Sequence, residues 1–298
     1  MYDESTVIGG SRIRIGYTVD LHYDVLGPAD FVFNIHASRS DHQRVLSEAV
    51  VVDPPVEWRV DTEPSSGNRL LRLHADAGPL DVRYVGAVEV EHHVAEPRRV
   101  LARPIDALPA EVLPFLRPSR YCQADRVQQL AWREFGASTP GHAQVDAVCR
   151  YVRSRVRFRV GASTVATSAL ETLENGEGVC RDFAHATIAL LRSLNYPARF
   201  VTGVDYGADE ALGPPDFHSY VEAYIGDRWW LFDPTGISPL TGLIRIGTGR
   251  DAADVAFATM FGSVRGSAPK VAFAAAQDPS AGIARPRSTD LAVSTAAL

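Results

Sequence analysis

Asn175-Gly176-Glu177-Gly178-Val179-Cys180-Arg181-Asp182-Phe183-Ala184-His185 places a cysteine at the start of an apolar helical run. Phe183, Ala184, Thr187, Ile188, Leu190, Leu191 and Leu194 recur at steps of three and four. That period predicts a helix that buries one side and ends near Asn195, before Tyr196-Pro197. A helix N-terminus presents unpaired N–H groups and the positive end of the peptide dipole, so it favours the thiolate, the reactive form of cysteine. Gly176 and Gly178 permit close backbone approach before the first turn, which leaves the Cys180 sulfur and N–H facing a substrate carbonyl. The same N–H is a natural oxyanion donor. A single cysteine on a helix is more often packing than chemistry. What separates Cys180 from that reading lies downstream.

His218-Ser219-Tyr220-Val221-Glu222-Ala223-Tyr224-Ile225 alternates as a strand does, Gly226-Asp227 is a turn pair, and Arg228-Trp229-Trp230-Leu231-Phe232-Asp233 resumes a strand that Pro234 stops. With a two-residue turn, Ile225 faces Arg228, Tyr220 faces Asp233 and His218 faces Thr235. Asp233 is then the diagonal neighbour of His218 on one sheet face, about 7 Å away between backbones and within side-chain reach. A slip of one residue would put the two on opposite faces. His218 thereby takes a general-base role, and Asp233 fixes its tautomer. Nucleophile, base and orienting carboxylate follow in the order Cys, His, Asp, the pattern of a thiol acyl-transfer site.

The blocks Gly178 to Ala184, Pro197 to Gly203, Phe217 to Glu222 and Trp230 to Thr235 resemble the bacterial transglutaminase-like family of papain-type thiol enzymes. Leu116-Arg117-Pro118-Ser119-Arg120-Tyr121-Cys122 is similar to the segment joining that family's N-terminal β region to its core. Arg12 to Tyr17 and Asp41-His42-Gln43 are similar to the β region itself. The resemblance covers most of residues 10–262. It implies an α+β fold, with an antiparallel β domain followed by a papain/transglutaminase-like core, and it assigns Cys180, His218 and Asp233 as nucleophile, base and orienting acid. It does not select a reaction, because such relatives include cross-linkers, peptidases, amidases and inactive forms.

With 298 residues, 46% of them hydrophobic, the chain can bury a large core in one or two domains. A net charge of −6 and the lack of a basic stripe argue against a nucleic-acid partner. No apolar stretch approaches a membrane span, and Met1 to Ser5 lacks the features of a signal peptide, so a cytoplasmic location is expected. Three cysteines, an odd number, imply no disulfide framework.

Residues 12–19, 31–35, 70–73 and 82–90 alternate apolar and polar side chains, with a turn at 64–67, so residues 1–115 read as an antiparallel β domain. Proline-rich Pro104 to Pro118 marks the boundary. Two helices, near 124–136 and 141–156, precede the Cys180 helix in a core expected over 116–278. Leu243 to Gly247 reads as a strand and Asp251 to Phe261 as a turn or short helix. Residues 279–298 have no period and are expected to be a mobile tail.

Other candidates carry less. His185, five residues beyond Cys180, points about 140° away around the helix, as a surface or supporting histidine would; Asp182 also points elsewhere. Cys122 and Cys149 lack a paired histidine and read as core. His92-His93 faces both sides of a strand, a poor metal site. Trp229 and Trp230 also occupy opposite faces, one for the core and one for a groove. The loop Gly207 to Pro215 borders the expected cleft without indicating a ligand.

The leading expectation is a thiol enzyme that acts on a peptide or amide substrate through a Cys180 thioester and needs neither cofactor nor metal. Peptidase or amidase chemistry is favoured over protein-glutamine cross-linking, because no amine-specific feature is legible and water needs no docking site. The alternatives are that transamidase, a non-catalytic binding module of the same fold, and a zinc site built on Cys, His and Asp. Oligomeric state stays open.

Overall fold

The computed structural model describes residues 12–208 and 216–297. The alternating N-terminal stretch forms β1 (Arg12–Val25), β2 (Ala29–Phe33), β3 (Gln43–Asp53), β4 (Trp58–Thr62), β5 (Arg69–Ala75), β6 (Gly78–Glu91) and β7 (His93–Ala95). In β1 every second residue from Ile13 to Val25 is buried, the period that a sheet with one covered face demands. β1 pairs antiparallel with β6 along its whole length, Arg12 opposite Glu91 and Val25 opposite Gly78, and β6 pairs with β3. β2, β5 and β4 form a second antiparallel sheet. One core that includes Tyr17, Phe31, Phe33, Leu71 and Tyr84 draws on both sheets.

The central region follows with α1 (Gln128–Phe135), α2 (His142–Arg155), β8 (Arg157–Phe158), α3 (Ala169–Asn175), β9 (Glu177–Gly178) and α4 (Cys180–Ser193). Next come β10 (Ala198–Asp205), β11 (Phe217–Ile225), β12 (Arg228–Phe232) and β13 (Leu243–Gly249), an antiparallel sheet in the order β12-β11-β10-β13. Ala184, Ile188 and Leu191 of α4 share one core with Val221, Ala223, Trp230 and Phe232 of the sheet and with Val145, Val148 and Val152 of α2. Arg192, near the end of α4, donates to the carbonyls of Ala198 and Arg117, which ties the helix to the start of β10. The mixed α+β class is as the sequence implied. α3 is a helix that the sequence reading did not mark.

The division expected at residue 278 falls differently. β14 (Ala258–Phe261) pairs with β2, while β15 (Val264–Gly266) and β16 (Lys270–Ala276) both pair with β1. The chain therefore returns to the N-terminal sheets, whose edges these strands cover. Asp251 to Phe261 is a turn followed by β14, not a helix. The expected mobile tail is also corrected. β17 (Ala292–Ser294) pairs with β7, Ala292 and Val293 are fully buried, and the Trp229 N–H donates to the Ala296 carbonyl at 3.2 Å. These apolar residues cover the β12 side of the core.

Candidate active site

Several contacts fix where α4 begins. Ser168 and Glu171 cap α3 reciprocally, and α3 ends on Gly176 in the left-handed conformation (φ 68°), which a residue without Cβ adopts freely. The Gly178 carbonyl accepts from the Arg159 N–H at 2.9 Å. A Cβ on Gly178 would lie 2.7 Å from the Asp182 Cβ, so only glycine fits. Arg181 reaches the Thr164 carbonyl at 2.7 Å and the Asp182 carboxylate at 3.0 Å, and Ser163 donates to the same carboxylate. The loop 159–167 is thereby laced to the first turn of α4, with Val160 and Val165 exposed on it. Cys180 opens the helix half-buried, and as its first residue it has no intrahelical acceptor for its N–H.

The hairpin has the expected register: Ile225 pairs with Arg228 and Val221 with Phe232, so the next position sets Asp233 beside Tyr220. His218 and Asp233 meet, Nε2 lying 3.2 Å from Oδ1, and both are buried. The Asp233 carboxylate also accepts from the Thr235 N–H at 3.0 Å, the Thr235 hydroxyl at 2.6 Å and the Ser238 N–H at 3.2 Å. Burial alone would raise its pKa, but the His218 charge and these donors bring the carboxyl down to about 2. Burial likewise opposes charging of His218; the Asp233 carboxylate overrides it, with Cys180 adding to the effect, and the imidazole is held well above its usual value. The three residues named from the sequence thus converge from α4, β11 and the end of β12.

A fourth group was missed. Asp205, at the end of β10, brings Oδ2 to 3.7 Å from His218 Nδ1, and its carboxylate takes the hydroxyl of Ser238, whose N–H serves Asp233. The β10 to β11 pairing explains its place: Gly203 lies opposite His218, with Asp205 two residues on.

His185 is not on the helix surface. It is fully buried, stacked on Tyr121 at 4.9 Å between centroids, and Nε2 accepts from the Ala252 N–H at 3.1 Å. Burial, with Arg181 and Arg192 nearby, holds it well below its usual pKa, so the ring is neutral. The Asp182 side chain is taken up by the Val179 N–H, Ser163 and Arg181, contacts that build the turn that presents Cys180. Cys122 and Cys149 are buried, and burial pushes the Cys122 thiol up to about 12 and that of Cys149 higher still. Of the two tryptophans, Trp230 lies in the core that α4 shares; Trp229 is buried too, against Phe115 and Tyr224, and lines a cavity beside Val112. Of the loop Gly207 to Pro215, residues 209–215 lie outside the described residues. Among the described residues no three His, Cys, Asp or Glu side chains group to hold a metal, and no helix is long and apolar enough to cross a membrane.

Comparison with known proteins bears on the family and the fold. Residues 129–234 match the model of the transglutaminase-like superfamily, and residues 14–110 that of the bacterial transglutaminase N-terminal domain. A Cytophaga hutchinsonii crystal structure, provisionally assigned as a cysteine protease, is 36% identical, with 97% of this chain and 99% of that one aligned at a TM-score of 0.90. The chain belongs to the transglutaminase-like superfamily. Uncharacterised proteins of Mycobacterium leprae and Mycobacterium tuberculosis are each 32% identical, over 146 and 142 residues. These matches take in 47% and 42% of the transglutaminase-like chain and only 52% and 45% of the mycobacterial ones. The chain spans about half the length of these relatives.

Proposed function

We propose that this transglutaminase-like protein is a cysteine peptidase or amidase, with Cys180 as nucleophile, His218 as acid and base, and Asp233 as orienting carboxylate. The observation that carries this reading is the pairing of the buried His218 imidazole with the buried Asp233 carboxylate, Nε2 to Oδ1 at 3.2 Å, beside Cys180 at the open end of α4. In this mechanism the Cys180 sulfur attacks the amide carbonyl carbon, its proton having passed to His218, and the carbonyl oxygen gains charge opposite the Cys180 N–H. His218 gives the proton to the leaving nitrogen as the C–N bond breaks, which leaves an acyl thioester. Water then attacks the thioester, His218 takes a proton from it, and the thiol is released with the acid product. Asp233 holds the imidazolium through both halves and is itself held by Thr235 and Ser238.

The test is a panel of peptides and glutamine amides, assayed with and without a primary amine. Release of ammonia or of new amino termini that outruns amine incorporation supports hydrolysis; dominant incorporation would make the protein a transamidase. Cys180→Ala and His218→Ala should each abolish turnover, and the double variant should be no worse than Cys180→Ala, because the pair acts as a unit. Asp233→Asn should keep partial activity. Turnover by Cys180→Ala at the wild-type rate would end the thiol mechanism.

A further inference from the structure

Val221, Ala223 and Ile225 turn toward α4, so Glu222 between them points to the other face of the sheet. There it is fully buried between two guanidinium groups, Arg199 of β10 at 2.6 Å and Arg245 of β13. One buried and one partly buried arginine share one carboxylate, and one positive charge is left over. Arg199 lies over the Trp229 ring, 4.1 Å from its centroid. Arg245 is 4% exposed and reaches the Thr295 hydroxyl at 3.0 Å, yet its Nε has no hydrogen-bond partner among the described residues.

Both arginines line a cavity of about 160 Å3 between the core sheet and the N-terminal loops, with Arg39, Ser40, Asn68 and Thr248, and no carboxylate lines it. The polar groups around it are already engaged: Ser40 donates to the Thr295 carbonyl, and both ends of the Asn68 amide are bonded to the Thr248 backbone. The guanidinium groups therefore supply its open donors. Arg39 at the rim leans on Glu48, which is shared with Arg69. Four arginines face two carboxylates in this region.

We propose that this pocket binds a small oxyanion, a phosphate or carboxylate group, held by Arg39, Arg199 and Arg245. An unneutralised buried charge costs several kcal/mol, and an oxygen anion supplies both the missing charge and an acceptor for Arg245 Nε. Burial, reinforced by Arg245 and only partly offset by Glu222, pulls Arg199 below the usual guanidinium range, while at Arg245 the Glu222 charge outweighs burial and holds it above that range. The pocket is reached from the sheet face opposite α4, and it stands whether or not the thiol reading does. Its size admits a free small anion or the anionic end of a longer ligand.

Titration calorimetry and thermal unfolding of the full chain in sodium phosphate, sodium acetate and sodium chloride at one ionic strength test this. Phosphate or acetate should bind saturably and raise the midpoint above chloride, and whichever saturates first identifies the head group. Arg39→Gln, a substitution at the exposed rim, should weaken binding about tenfold, the change that 1.4 kcal/mol produces. Arg245→Lys should weaken it further; if that variant does not fold, Arg39→Gln decides alone. Equal effects of all three salts, or wild-type affinity in Arg39→Gln, would overturn the proposal.

Discussion

The carboxylate of Asp182 turns back onto the backbone N–H of Val179, 2.8 Å away, and closes the first turn of the helix that Cys180 begins. The same side chain holds Ser163 and Arg181. Asp182→Ala should therefore cost about 1–2 kcal/mol as a lost cap, and it should slow alkylation of Cys180 by loosening its position. Denaturant unfolding and iodoacetamide kinetics measure the two effects. Wild-type values in both would show that the cap does not set the thiol.

Gly178→Ala tests the same joint from the backbone side. Its new Cβ would press on the Asp182 Cβ from 2.7 Å, so overpacking of about 1–3 kcal/mol is expected. Gly176→Ala meets only the Arg155 carbonyl at 3.2 Å and suffers chiefly from its left-handed φ, about 1 kcal/mol. If Gly178→Ala unfolds at the wild-type midpoint, the close approach is not what holds this turn.

The thiols should differ in reactivity. Cys180 is half-exposed, whereas Cys122 is buried with its pKa near 12 and Cys149 is buried and raised further. Iodoacetamide at neutral pH should label Cys180 in the folded protein and the other two only after denaturation. Mass mapping that finds all three labelled at one rate would remove Cys180 from its assigned role.

The His218 to Asp233 pair makes a signed pH prediction. The Asp233 carboxyl is depressed to about 2, so its contribution to stability is complete above the ordinary carboxylate value of about 3.9 and is lost as pH falls toward 2. His218 is raised, so its contribution is complete below about 6.5 and is lost as pH rises through its folded value. Proton NMR should find the His218 ring charged at pH 7, and Asp233→Asn should bring its titration down. An unchanged titration in that variant would mean that Asp233 does not hold the charge.

The sequence disclosed what is local. Gly226-Asp227 fixes the hairpin register by turn length, and that register carries Asp233 to His218; the apolar period from Phe183 to Leu194 marks α4. What it hid depends on contacts between distant segments. The surface alternative for His185 fails because it needs a wet face, whereas α4 is buried continuously from Asp182 to Ser193 among α1, α2, α3 and the sheet. Asp205 needs the β10 to β11 pairing, which no short motif states. The Ser168 to Glu171 capping box was present in the letters, but α3 is only seven residues long and too short for a periodic signal. The pairing of β14, β15 and β16 joins residues more than two hundred positions from their partners.

That last pairing sets an order of events during synthesis. β1 has β6 on one side as soon as residue 91 has emerged, but its other edge, from Arg14 to Asp20, waits for Lys270 to Ala276. At about 5–20 residues per second the ribosome leaves that edge unsealed for roughly 12–50 s, while α4, β11 and β12 are made and can already pack on one another. The thiol enters the growing chain before the N-terminal sheet has received its last strands. Arg12, Arg14, Asp20 and His22, placed along β1, are charged or ionisable residues of the kind that discourage stray strand pairing in such an interval.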